Sequence, residues 1–133
     1  MRDRIRHLDY LERPALAAVV RRAEALVFPS LLEGFGLPVV EAMACGLPVI
    51  TSSCSSLPEV AGDAALYVDP ADPGSIAAAI LTLAGDVELH GRLAAAGRAR
   101  AARFRWEDAA RATAGVLRRA AGLSERFPDA YRV

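Results

Sequence analysis

The stretch Leu31–Ile50, "LLEGFGLPVVEAMACGLPVI", decides how this chain is read. Pro38 suits the first turn of a helix, where its missing amide leaves no bond unmade, and Gly46 suits the position just past a helix end. The spacing predicts a helix over 38–45. Gly34 and Gly36 stand in front of it, residue types that adopt positive φ and let a ligand come close to the backbone. Two carboxylates frame the segment, Glu33 before the loop and Glu41 about one turn into the helix. One reading is a turn that opens a buried helix, with two ordinary solvated acids. The other is a site in which the amides and positive dipole end of a helix hold an anion while carboxylates accept hydrogen bonds from hydroxyls. A pyrophosphate between two sugar rings has that chemistry. A dinucleotide GxGxxG is a poorer match, because Val39 occupies the third glycine position and Pro38 interrupts the pattern.

Working outward, "RIRHL" (4–8) reads as a strand, and Pro14 starts an apolar-periodic helix through about Ala23. "ALVFP" (25–29), "LPVIT" (47–51) and "ALYVD" (65–69) read as short buried-type strands. In the polar loop "SSCSSLPEVAG", Ser56 and Glu59 are spaced as a capping box for one short turn. Asp72 before Pro73 is an N-cap signal for a helix over 74–84. Short apolar strands alternating with helices imply a parallel sheet covered on both faces, whose ligands sit outside the carboxyl ends of the strands. The quoted segment lies at such an end. Ser30 and Thr51 end two strands nearby, where each would either touch a ligand or bond the backbone.

Beyond residue 86 the strand signals stop, and helices are expected over 87–102 and 107–121. Their apolar stripes, Leu89, Leu93 and Ala96, then Ala109, Ala112 and Val116, are expected to be core faces. Phe104 and Trp106 are expected to pin the junction by burial, with a contact to a second domain as the alternative.

Composition excludes several function classes. At 133 residues and 53% hydrophobic, the chain suits one domain with an ample core. Its 16 basic residues, all arginine, balance 16 acids, so no polyanion-binding surface is expected. Cys45 and Cys54 lie outside zinc or CxxC spacing and are expected as small buried residues in a reducing, cytoplasmic setting. The charged start, "MRDRIRHLDY", has no signal-peptide core, and no run approaches the roughly 18 apolar residues of a membrane span. Between Arg22 and Arg92 there is no cation, while nine acids fall there: Glu24, Glu33, Glu41, Glu59, Asp63, Asp69, Asp72, Asp86 and Glu88. An anion bound in that interval must rely on backbone amides or on cations from elsewhere. The nearest upstream cations, Arg4, Arg6, Arg21 and Arg22, belong to the first strand and the back of a helix. His7 and His90 lie away from the strand ends and are read as surface or structural residues rather than bases.

The run "FPSLLEGFGLPVVEAMACGLPVITSSCSSLPEVAGDAALYVDPADP" resembles the C-terminal half of the nucleotide-binding domain of retaining GT-B glycosyltransferases, glycosyltransferase family 4, also called glycosyl transferases group 1. Glu33 and Glu41 match the acids of that family's E-x7-E motif, and the blocks "EGFGLP", "EAMACGLPV" and "LPEVAGDAA" follow in its order. The resemblance runs from about Arg4 to Leu117. It implies an α/β fold: a partial Rossmann-like (GT-B C-terminal) domain, a short parallel sheet with flanking helices and two C-terminal helices. The domain is expected over 1–122, with a tail over 123–133.

The resemblance also implies roles. Glu41 would accept hydrogen bonds from the ribose hydroxyls of a nucleotide-diphosphate sugar. Glu33, the expected catalytic-site acid, would lie beside the transferred sugar, as stabiliser or nucleophile. The amides of Gly34, Phe35 and Gly36 would meet sugar hydroxyls, and those of Leu37 and Val39 the diphosphate. Transfer to an acceptor hydroxyl would proceed with retention at the anomeric carbon. No metal and no other cofactor is expected: there is no DxD, and Asp69 and Asp72 are read as a strand end and a helix cap. The expected partners are the nucleotide-diphosphate sugar, an N-terminal acceptor-binding domain or companion chain, and, for the full enzyme, a membrane surface met peripherally. No nucleic acid is expected. The family's acceptor domain and its phosphate-binding cation have no counterpart in the sequence, so the chain alone is expected to be inactive and to self-associate through an exposed sheet edge. Met1 would then open an expressed piece, a truncated gene product or one subunit of a split enzyme. Two alternative readings are a non-catalytic interaction module and a nucleotide-sugar epimerase.

Overall fold

Three of the apolar runs become the strands of one parallel sheet in the computed structural model, which describes residues 4–123. The elements are α1 (Arg13–Arg22), β1 (Leu26–Phe28), α2 (Leu37–Ala44), β2 (Val49–Ser52), α3 (Leu57–Ala61), a 3-10 turn at Gly62–Ala64, β3 (Ala65–Val68), α4 (Pro73–Gly85), α5 (Val87–Ala101) and α6 (Trp106–Ala120). Strand order is β1-β2-β3. Leu26 pairs with Val49 and Phe28 with Thr51, and Val49 pairs with Ala65 and Ser52 with Val68. The expected α/β fold with a short parallel sheet and flanking helices is the one found.

Successive residues of a strand face opposite sides, so the burial of Val49, Ile50, Thr51 and Ser52 together means that β2 is covered on both faces. Ile50 and Val68 join Leu83 of α4 and Leu93 of α5 in one apolar cluster. Val39 and Met43 of α2 and Leu57 of α3 are also fully buried. β1 is less protected. Val27 remains exposed, and a groove of about 450 Å³ opens beside it, lined in part by Ile50, Ile80, Leu83 and Val87.

The helix ends follow local chemistry. Asp72 caps α4 by accepting from the Gly74 amide at 2.8 Å, and Asp86 caps α5 by accepting from Leu89 at 2.8 Å. Gly46 has φ +78 just past α2, the left-handed position in which glycine is least strained. α5 lies so close to α2 that a Cβ on Gly97 would sit 3.2 Å from Cγ of Met43 and 3.6 Å from its Cα. Gly97 therefore sets the distance at which α5 supports α2.

Several expectations fail. "RIRHL" forms no strand: Ile5 is exposed, and a period of two would put Ile5 and Leu8 on opposite faces, leaving no apolar side to bury. Ala96 is exposed, and Gly97 takes its place in the contact face of α5. The cysteines are not buried: Cys45 is exposed and Cys54 half-buried.

The described chain divides into two compact units, with the break between Ala102 and Arg103. The second contains α6, with Glu107 and Asp108 in its first turn and Arg118 and Arg119 in its last, each sign complementing the helix dipole. Of its expected stripe, Ala109, Ala112 and Val116 are exposed. Trp106 is 77% exposed. Of the expected tail, 123–133, all but Leu123 lies outside the described residues.

Two outcomes test this packing. Gly97→Val, by overpacking the α2–α5 crossing, should destabilise the chain by about 1–3 kcal/mol in a denaturant melt. Tyr67 donates its hydroxyl to the Gly62 carbonyl at 2.6 Å, and burial pushes its phenol above the ordinary value, with Asp63 adding to the shift and Arg100 opposing it. The folded state thus favours the neutral phenol, while the unfolded chain ionises at about pH 10. Stability should fall as pH rises above that value, and Tyr67→Phe should flatten this part of the profile.

Candidate functional site

The parallel pairing of β1 with β2 brings two loops together at the carboxyl ends of the strands. The first, 29–36, leads from β1 into α2; the second, 53–56, leads from β2 into α3. Small side chains on the second loop and the end of β2 take the carbonyls of the first loop and the end of β1. Thr51 Oγ1 donates to Phe28 O at 3.0 Å, and Ser52 Oγ to Ser30 O at 2.6 Å. The Cys54 thiol lies 3.5 Å from Leu31 O. Ser56 Oγ lies 3.0 Å from both Glu33 O and Phe35 O and shares its single proton between them. Ser55 Oγ donates to Glu33 O at 2.7 Å and accepts from the Glu33 amide at 3.0 Å. For Ser30 and Thr51 the backbone-bonding role is therefore the one realised; Ser30 Oγ donates to Leu32 O at 3.3 Å.

Gly36 is the N-cap of α2, with φ +100, and a Cβ there would lie 2.7 Å from Cδ2 of Leu57. It must be glycine for two separate reasons: the left-handed backbone and the side chain above it. Gly34 differs from the expectation. It does not have positive φ, and nothing lies within 4 Å of where its Cβ would be. Within this chain its smallness serves no contact.

Of the expected site residues, Gly36 and Val39 are buried, and the other five form an accessible strip at the start of α2. Gly34, Phe35, Leu37 and Glu41 are exposed and Glu33 is half-buried. Among the described residues, no carbonyl or side chain takes the amides of Gly34, Gly36 and Leu37, as befits the unsatisfied start of a helix. The Val39 amide, by contrast, already donates to Gly36 O at 3.0 Å. Neither Glu33 nor Glu41 forms an ion pair among the described residues. The strip combines outward-facing donors with two uncompensated carboxylates, a pairing that suits a ligand bearing both an anion and hydroxyls.

The histidines do not contribute. His90 Nε2 is 2.9 Å from the Glu24 carbonyl, and His7 pairs with Asp9 at 3.4 Å on the surface. Ser56, expected to form a capping box with Glu59, makes no side-chain cap to α3. Its backbone is already helical, and its hydroxyl is committed to the loop before α2.

The family model for glycosyl transferases group 1 matches residues 1–100. The chain belongs to this family. It is 44% identical over 104 residues to the O-antigen chain mannosyltransferase B of Escherichia coli, covering 78% of this chain and 27% of that protein. It is 39% identical over 126 residues to the glycogen synthase of Mycobacterium tuberculosis strain H37Rv, covering 92% of this chain and 30% of that one. Among solved structures, the sucrose-phosphate synthase of Thermosynechococcus elongatus superposes with a TM-score of 0.82 at 33% identity, over 92% of this chain and 31% of that one. The fold is accordingly that of a GT-B glycosyltransferase, and the chain spans about a third or less of these relatives. No helix among the described residues is long and apolar enough to cross a membrane.

Two groups of residues escaped the sequence reading. The hydroxyl-bearing run 51–56 was legible only as a polar loop, although its place after a strand next to β1 was the available signal. Arg98 and Arg100 of α5 return to the cation-free interval, but at its far end. Arg100 Nε donates to Val60 O at 2.8 Å, its Nη2 bonds Glu59 O, and the Arg98 guanidinium lies over Gly46. Both serve the carbonyl ends of α3 and α2, where cations are favoured.

The two loop glycines should separate in a thermal melt. Gly36→Ala should cost about 2 kcal/mol or more from its backbone conformation and the Leu57 clash, whereas Gly34→Ala should leave stability within about 0.5 kcal/mol.

Proposed function

We propose that this chain is the nucleotide-sugar donor-binding part of a retaining glycosyltransferase that moves a hexosyl group from a nucleotide-diphosphate sugar to an acceptor hydroxyl. The observation that carries this reading is the strip at the start of α2, with the untaken amides of Gly34, Gly36 and Leu37 set between the unpaired carboxylates of Glu33 and Glu41. Glu41 accepts from the ribose hydroxyls, and Glu33 lies beside the sugar as a stabilising carboxylate. The Gly34, Phe35 and Gly36 amides meet sugar hydroxyls. Leu37, at the positive end of the α2 dipole, offers its amide to the diphosphate; Val39 stands next to it, with its amide shared with Gly36.

A diphosphate leaving group carries about two negative charges and needs cations as well as dipoles to depart quickly. In this reading those cations, and the acceptor site, come from an N-terminal domain or companion chain, acting in the cytoplasm or at its membrane surface. A second reading, a module that works by association rather than by its own chemistry, is favoured by the exposed Val27 and the apolar groove beside β1. Transfer of labelled sugar by the purified chain alone would rule that second reading out.

The first reading is tested by titrating the chain with GDP-mannose, UDP-glucose and ADP-glucose. At least one should bind and raise the melting temperature. Glu41→Gln should weaken that donor by roughly tenfold or more, the loss of a hydrogen bond to a charged acceptor. As an exposed substitution it should leave stability within about 0.5 kcal/mol. Binding by none of the three, or equal binding by the Gln variant, would sink the assignment.

A further inference from the structure

We propose that Ser55 is a positioning residue, whose hydroxyl fixes the Glu33 backbone and thereby the orientation in which the loop before α2 meets the donor. The inference rests on the donor-binding reading and adds to it a residue that touches no ligand.

Ser55 has φ +60, the one positive φ at a residue other than glycine among the described residues. That conformation disfavours a side chain, and glycine would occupy it without strain. What a serine supplies there, and glycine cannot, is one hydroxyl that donates and accepts at once. Both capacities go to a single residue 22 positions away: the hydroxyl donates to Glu33 O at 2.7 Å and accepts from Glu33 N at 3.0 Å. This is the exchange that one strand residue makes with its hydrogen-bonded partner in a ladder. It restrains the two peptide groups flanking the Glu33 Cα, which set the direction of its Cβ and so the range its carboxylate can reach. Ser56 also donates to Glu33 O, at 3.0 Å, but only Ser55 takes the Glu33 amide. The strained backbone at 55 is thus matched to a bond pair that no other described side chain supplies.

The test compares the unaltered chain with Ser55→Gly, which relaxes the backbone and removes the hydroxyl, and with Ser55→Ala, which removes the hydroxyl and keeps the strain. Amide hydrogen exchange at Glu33 should accelerate about tenfold in both variants, the loss of one hydrogen bond, while β2 and β3 stay as protected as before. The Ser55→Gly chain should melt at or near the unaltered temperature, yet bind the best of GDP-mannose, UDP-glucose and ADP-glucose about tenfold more weakly. A purely structural serine would give the opposite pattern, with Ser55→Gly binding donor as well as the unaltered chain; that result overturns the proposal. Unchanged exchange at Glu33 in both variants overturns it as well, whatever the donor does. If the unaltered chain binds none of the three donors, the donor-binding reading itself has failed, and the positioning role falls with it.

Discussion

The structure depends on how two neighbouring parallel strands end. β1 and β2 run side by side, so the chain leaves both at the same edge of the sheet, and the two exits must share one space. Backbone carbonyls that lose water where the two exits pack together need other partners. Here the hydroxyls of Thr51, Ser52, Ser55 and Ser56 satisfy them, donating to the carbonyls of Phe28, Ser30, Glu33 and Phe35. With its carbonyls taken from behind, this loop keeps the amides of Gly34, Gly36 and Leu37 as donors that no described group takes. In the donor reading it is that asymmetry, more than the helix dipole, that suits the start of α2 to an anionic, hydroxyl-bearing ligand.

The charge distribution follows the same division between helix ends. At the carboxyl ends of α2 and α3, Arg98 and Arg100 arrive from α5 and meet the partial negative charge of exposed carbonyls. At the amino end of α2 there are no such cations, only carboxylates. An arginine beside Glu33 or Glu41 would neutralise the group offered to a hydroxyl, so their isolation preserves two strong acceptors. In the donor reading, binding and departure of a diphosphate are then separate problems for this fold. Orientation can be achieved by amides and carboxylates within the chain. Stabilising the departing charge needs a cation brought from outside the interval 23–91.

Much of this was legible in the sequence because it rests on local rules. Pro38 and Gly46 mark α2, Asp72 marks α4, and the three apolar runs mark β1, β2 and β3, each displaced by only one or two residues in the structure. The two acids and the glycine loop were visible for the same reason. What was not legible depends on partners far away in sequence. "RIRHL" has strand-like composition but no apolar face for a neighbour to cover. The capping box at Ser56 fits the spacing rule, yet a carbonyl more than twenty positions earlier competes for the same hydroxyl and wins. Spacing also could not tell Gly34 from Gly36. One meets Leu57 and has left-handed backbone; the other faces open space.

That last difference separates folding from function more cleanly than any acid does. A glycine that folding requires is explained by the atoms around it, as Gly36 is by Leu57 and Gly97 by Met43. Gly34 has no such explanation within the chain, and alanine there would replace a residue that favours the unfolded state by its backbone freedom. Nothing within the chain returns that cost, and the donor reading accounts for it by the approach of a sugar. The place where it lies, between Glu33 and the first turn of α2, is where the backbone must come within hydrogen-bonding distance of a sugar if the donor reading holds. A Cβ there would stand between the amide and the ligand, in space that the fold itself leaves empty.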